Sequence, residues 1–249
     1  MSYRVVPDTT PIDREILRAN NIYSLDMNLE EFVALASASL SVTDEDRERL
    51  KRLRREVPSD LNDAFEKNPV AVTRLLASWT YVNQAPFSDR SNVKLFLYGD
   101  RPNWALIAAQ HYFERDIEEE IYDDLLDYAT GSAHTASVRI LLAPAGYGVS
   151  TVLMSLAVRL IKEKAGAVFM LKPGCNLLEG DIEFAATLFP QRPFFFVDTA
   201  SDHIENLRTI IQRVREAKIS GMFLLGERLN EWRQKVGALR GNEFMMEPL

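Results

Sequence analysis

Cysteine is nearly absent from this chain: Cys175 is the single one in 249 residues. That excludes an intramolecular disulfide framework and fits a reducing compartment. Histidine is scarce too. His111, His134 and His203 lie far apart and have no cysteine partners, so no structural zinc pattern forms. No apolar run approaches the ~20 residues of a membrane span; the best, Val152 to Ile161, is interrupted by Arg159. The first residues lack the apolar core of a signal peptide. Positive charge is not in excess either. The net charge is −7 and the pI about 5.2, a poor basis for non-specific nucleic-acid binding. The expectation is a cytoplasmic protein whose partners include neither membrane nor nucleic acid.

What is present is enough apolar sequence, 47%, for an ordinary core. Residues 1–28 read as irregular, with a turn at Asn20 and Asn21. Helical periodicity starts at Leu29. A second helix over 45–57 carries six basic residues between Arg47 and Arg55, interleaved with Glu45, Asp46, Glu48 and Glu56, the pattern of a solvated, salt-bridged face. Helices are expected at 59–67, 69–82 and 103–129, with a loop over 83–102 and a linker over 131–137. From Val138 onward apolar strand-length runs alternate with helical segments: 138–142, 167–171, 194–197, 222–225 and a fifth at 244–246. That alternation predicts an α/β fold built on a parallel sheet of about five strands with flanking helices, preceded by a helical N-terminal region. The expected division is 1–94 and 95–249.

Between the first strand and the helix after it lies Ala143-Pro-Ala-Gly-Tyr-Gly-Val-Ser-Thr151. A strand, a glycine loop and a helix make the phosphate cradle known as a P-loop, G-x-x-x-x-G-K-[ST]. Its four fixed positions fall on Ala143, Gly148, Val149 and Ser150, and only the second and fourth are kept. Phosphate would be held by the backbone N–H groups of Gly146, Tyr147, Gly148, Val149, Ser150 and Thr151 and by the helix dipole, none of which needs a side chain. The lysine brings a full charge, and Val149 has none. One charge-assisted contact is worth roughly 1.5–3 kcal/mol, so triphosphate binding should weaken by about one to two decades. Among other cations, Lys172 just past the second strand is the candidate substitute. The bland alternative is a tight strand-to-helix turn of another α/β fold.

A second motif, Pro193-Phe-Phe-Phe-Val-Asp198, is a buried strand ending in an acid. Asp198 is the Walker B candidate for holding Mg²⁺ together with Ser150; its alternative role is a helix cap. The next position, where many such ATPases carry a second acid, is Thr199. Asp202 is read as a cap of the following helix. Whether the chain is an enzyme is therefore open, because Val149 stands where the lysine would.

Taken together, Phe113-Glu-Arg-Asp116, the 143–151 loop, Phe194 to Asp198, Gly226 to Trp232 and Leu95 to Trp104 resemble the STAND branch of P-loop ATPases, which includes the NACHT proteins. The resemblance covers 95–249. It implies ATP or ADP with Mg as ligand, Arg115 near the base, Arg228 sensing the γ-phosphate, and a nucleotide-controlled switch. It also implies an attached effector, homo-oligomerisation and a role in antiviral defence. The family continues beyond Leu249 into further domains, so the chain resembles part of such a protein. A scaffold that keeps the fold and no longer binds nucleotide, a pseudo-ATPase, is the alternative.

Overall fold

The computed structural model describes residues 48, 51–52, 54–84, 93–98, 101–131, 135–235 and 242–246. The expected irregular start, the turn at 20–21 and the helix from Leu29 lie outside them. The chain divides into two compact units, Met1–Arg55 and Glu56–Leu249. In the first, the described residues are helical, and Lys51 pairs with Glu48 one turn away at 2.7 Å. The second contains the sheet. It starts well ahead of residue 95, and the expected boundary at 94/95 is not where the compact units divide.

The reason lies in residues 69–82, where one helix was expected. Helix α2 (Pro69–Ser78), preceded by α1 (Asn62–Lys67), is capped by Asn68, whose side chain accepts from the Ala71 amide. It ends at Ser78, and β1 (Trp79–Tyr81) follows. Aromatic and β-branched residues favour the strand there, and the open edge of the sheet supplies a partner. β1 pairs antiparallel with β3 (Val168–Leu171). Trp79 is fully buried, with its ring 5.6 Å from that of Phe195.

The rest of the sheet is parallel. β2 (Ser137–Ala143), β4 (Phe194–Asp198), β5 (Met222–Arg228) and β6 (Asn242–Met245) complete the order β1-β3-β4-β5-β2-β6. The five expected strands are all present. Alternation along β4 splits its apolar run between two faces. Phe195 stacks on Phe169 and Phe223, its register partners, and Tyr81 continues the aromatic row onto β1. Phe194 and Phe196 face the other way, into the cluster with Leu153 and Leu156.

Two helical expectations are revised. The region 103–129 is two helices: α4 (Trp104–Ala108), capped by the Asn103 side chain, and α5 (Asp116–Thr130). Gln110, with a left-handed φ of 59°, breaks the path between them. The apolar run at 93–98, expected within a loop, contains the short helix α3 (Val93–Leu97). Helices α6 (Val149–Lys162), α7 (Glu179–Leu188), α8 (Ile204–Glu216) and α9 (Leu229–Lys235) follow β2, β3, β4 and β5 in turn.

Candidate functional site

The topology determines where a ligand can sit. β2 neighbours β5 on one side and β6 on the other, while the chain leaving β2 goes on to β3, beyond both β5 and β4. In open parallel sheets a crevice forms at the carboxyl ends of strands where connections diverge in this way. Here it is bounded by the loop after β2 and by the ends of β4 and β5.

The loop turns on its two glycines. Gly146 and Gly148 take φ of 85° and 87°, a region costly for residues with a Cβ. Gly148 is the N-cap of α6, and the Val152 amide bonds back to its carbonyl. The first-turn amides of a 14-residue helix thus open onto the loop.

Ser150, in that first turn, donates its hydroxyl to Asp198 Oδ2 at 2.5 Å. The two residues are separated by the whole width of β5, so the contact requires α6 to sit close on the sheet. Gly226 permits this. Asp198 and Leu141 are its register partners on β4 and β2. A Cβ on Gly226 would stand 2.6 Å from both Val149 Cγ1 and Leu153 Cδ1.

Around Asp198 the chain is tightly arranged. Its Oδ1 accepts from the Thr199 amide at 3.0 Å, and Thr199 itself is left-handed (φ 53°). Burial holds the Asp198 carboxyl above its ordinary pKa. The Ser150 and Thr199 hydrogen bonds oppose that rise, nearby Glu227 adds to it and Arg228 opposes it. Glu227, unmarked by the sequence analysis, is buried at the end of β5. Its two oxygens accept from the backbone amides of Ser201 and Arg228, both at 2.7 Å. It fastens the turn after β4 to the end of β5. Asp202 is not the residue that opens α8; His203 holds that position.

A 440 Å³ cavity lies over the loop, and its walls include Gly146, Val149, Ser150, Asp198 and Arg228. A smaller one of 220 Å³ adjoins it, between Tyr147, Thr151 and the aromatic side chains of Phe96, Tyr112 and Phe113. Arg115 lines the smaller cavity, and its guanidinium Nη2 donates to the Tyr147 carbonyl at 3.3 Å. The break between α4 and α5 brings Tyr112 and Phe113 to the loop. Glu118, on α5, accepts the Ser155 hydroxyl from α6 and the Arg115 amide. A third cavity of 810 Å³ continues past Asp198 along the carboxyl end of β3. Lys172 lines it, but its ammonium donates to the Leu76 carbonyl at 2.6 Å and so is committed to the end of α2.

The donor set fits a hard divalent cation. Asp198 is a largely buried carboxylate with a hydroxyl against it, and a cation there would offset the cost of its charge. Among the described residues no three or more His, Cys, Asp or Glu side chains are grouped to hold a metal. Mg²⁺ characteristically keeps waters and phosphate oxygens as its remaining ligands.

A family model described as Novel STAND NTPase 5 matches residues 94–240, more than half of the chain. The chain belongs to this family. Some solved structures are similar to parts of this chain. C. elegans PCH-2 is 14% identical with a TM-score of 0.40, over 58% of this chain and 46% of that one. The S. cerevisiae Hsp104:casein complex is 12% identical at 0.41, over 70% and 30%. The Thermotoga maritima RuvB Holliday junction branch migration motor is 15% identical at 0.35, over 55% and 47%. The chain thus spans between 30% and 47% of the length of these structures. No curated protein matches it. No described helix is long and apolar enough to cross a membrane.

Proposed function

We infer that this STAND NTPase module binds ATP or ADP with Mg²⁺ and acts as a nucleotide-dependent switch with weak or no hydrolysis. The observation that carries the reading is the Ser150–Asp198 contact at 2.5 Å. It joins the end of the glycine loop to the end of the acid-bearing strand, as a shared cation would require.

In this reading the backbone amides of Gly146 through Thr151 hold the phosphates. Ser150 and Asp198 hold Mg²⁺, which supplies charge neutralisation at the phosphates when bound. Arg228 reads the terminal phosphate. The base occupies the 220 Å³ cavity, where Tyr112, Phe113 and Phe96 offer ring faces and Arg115 braces the loop. Residues 95–249 supply all of these groups; of residues 1–94, β1 belongs to the sheet and the remainder serves as a linker and docking region. Nucleotide state then controls assembly of an attached effector, in a cytoplasmic signalling or antiviral defence role.

The second reading is a pseudo-ATPase scaffold, and Val149 is the residue that favours it. Thermal melting with and without Mg-ATP or Mg-ADP separates the two. A ligand at a hundredfold its Kd stabilises by about 2.7 kcal/mol. A rise in Tm with nucleotide supports the switch. No shift at millimolar nucleotide selects the scaffold.

A further inference from the structure

The sequence offers no side-chain charge in the loop itself, yet the cradle has cationic walls. Arg228 is one, already expected. Arg101 is another, to which the sequence analysis gave no role. Arg101 lines the 440 Å³ cavity over the glycine loop and also the 810 Å³ cavity beyond Asp198. Ser150, Asp198 and Thr199 line both cavities as well. Arg101 therefore stands where the two spaces meet, at the end of the cradle where the Ser150–Asp198 pair lies.

Three features show that the position is built. Asn103, two residues on, caps α4 with its side chain at 3.0 Å from the Leu106 amide. Pro102, between them, restricts the backbone. α4 is anchored on α6, the helix that carries the loop, through Ile107 against Met154 and Val158. The segment bearing Arg101 is thus tied to the same helix whose first turn forms the cradle. Arg101 is exposed, and among the described residues its guanidinium makes no ion pair or hydrogen bond. By contrast, Arg74, Arg139, Arg159 and Arg213 are each paired with a carboxylate.

The geometry points to Arg101 as the residue that replaces the missing lysine, donating to the terminal phosphates of a bound nucleoside di- or triphosphate. It rests on the nucleotide reading above. A guanidinium suits the task because its fork can bond two phosphate oxygens at once. It also approaches from across the cleft, so it needs no room in the loop, where Val149 fills the space above Gly226.

Calorimetric titration of the full chain with Mg-ATP, Mg-ADP and AMP tests this. Arg101→Ala should weaken Mg-ATP binding about tenfold or more, the size of one charge-assisted contact, with AMP binding unchanged. Val149→Lys introduced into the Arg101→Ala chain should recover most of the loss, because one charge stands in for the other. The melting temperature of ligand-free Arg101→Ala should equal that of the parent, since the side chain is exposed. If the parent binds Mg-ATP and Arg101→Ala binds it equally well, the assignment is overturned and the nucleotide reading stands. An equal loss for ATP and AMP also overturns it, because the effect would not act through the terminal phosphates. If the parent binds no nucleotide, both inferences fall together.

Discussion

Val149 lies against Gly226: a Cβ on that glycine would stand 2.6 Å from Val149 Cγ1. The residue in the lysine position is therefore partly a packing residue, seated on the strand that separates the two halves of the site. Its contact keeps α6 close to β5, and that closeness lets Ser150 reach Asp198.

Gly226→Ala is expected to destabilise the fold by about 1–3 kcal/mol, the usual cost of overpacking. Val149 and Leu153 would have to move, and α6 with them. Chemical denaturation measures the loss, and Val149→Ala in the same chain should recover part of it. A Gly226→Ala protein as stable as the parent would remove the close approach from the account.

Val149→Lys should tighten Mg-ATP binding by about tenfold or more. A lysine stem can follow the path of the valine methyls along the strand and extend its ammonium into the 440 Å³ cavity, which Val149 also lines. Titration of a folded Val149→Lys chain that shows no gain would mean the loop, not the charge, is the defect. Ala143 and Pro144 would then be the first positions to change.

ATP turnover should stay near background in the parent chain. The lysine is absent, and Thr199 occupies the position of the second acid. Phosphate release at a rate on the order of 1 per second would contradict this.

Asp198→Asn should raise stability at neutral pH, and the sign follows from linkage. The folded-state pKa of Asp198 is raised, chiefly by burial. Between the ordinary carboxylate value and the raised one, the folded chain holds more protons than the unfolded chain, so stability falls as pH rises. The contribution is fully present below about pH 4 and is lost as pH climbs through the raised pKa. Glu118 has the same sign, again chiefly from burial. The asparagine carries no charge, so its advantage should be present at pH 7 and shrink toward pH 4. Each 1 kcal/mol corresponds to about 2–4 °C in Tm for a chain of this size. Melting curves across that range check it; a variant that melts below the parent at pH 7 would refute it.

The sheet should also need β1. A chain starting at residue 95 lacks the strand that covers the edge of β3 and loses Trp79 from against Phe195. It should aggregate or melt well below a chain starting at Glu56. Within the full chain, Trp79→Ala should cost about 3–5 kcal/mol. Trp79→Phe should cost far less, because the buried indole N–H has no acceptor among the described residues. Equal stability of the two truncated chains would show that β1 adds nothing.

The alternation of apolar runs and helices after Val138 was sufficient to establish five parallel strands, because strands buried on both faces must be apolar along their length. The places of the glycine loop and of Asp198 were also legible, since a positive φ and a strand-terminal acid each demand particular residue types. Three things were decided only by the tertiary structure. Residues 79–81 became a strand because the edge of β3 was open to pair with, and helical periodicity upstream could not reveal that. Gly226 reads as an ordinary strand residue until α6 is seen resting on it. Arg101 precedes a proline in a stretch with no phosphate-binding pattern of its own, and it lines the cavity over the glycine loop only because α4 packs on α6. Sequence pattern records what each segment needs along its own length; which segments face one another across a cleft depends on packing.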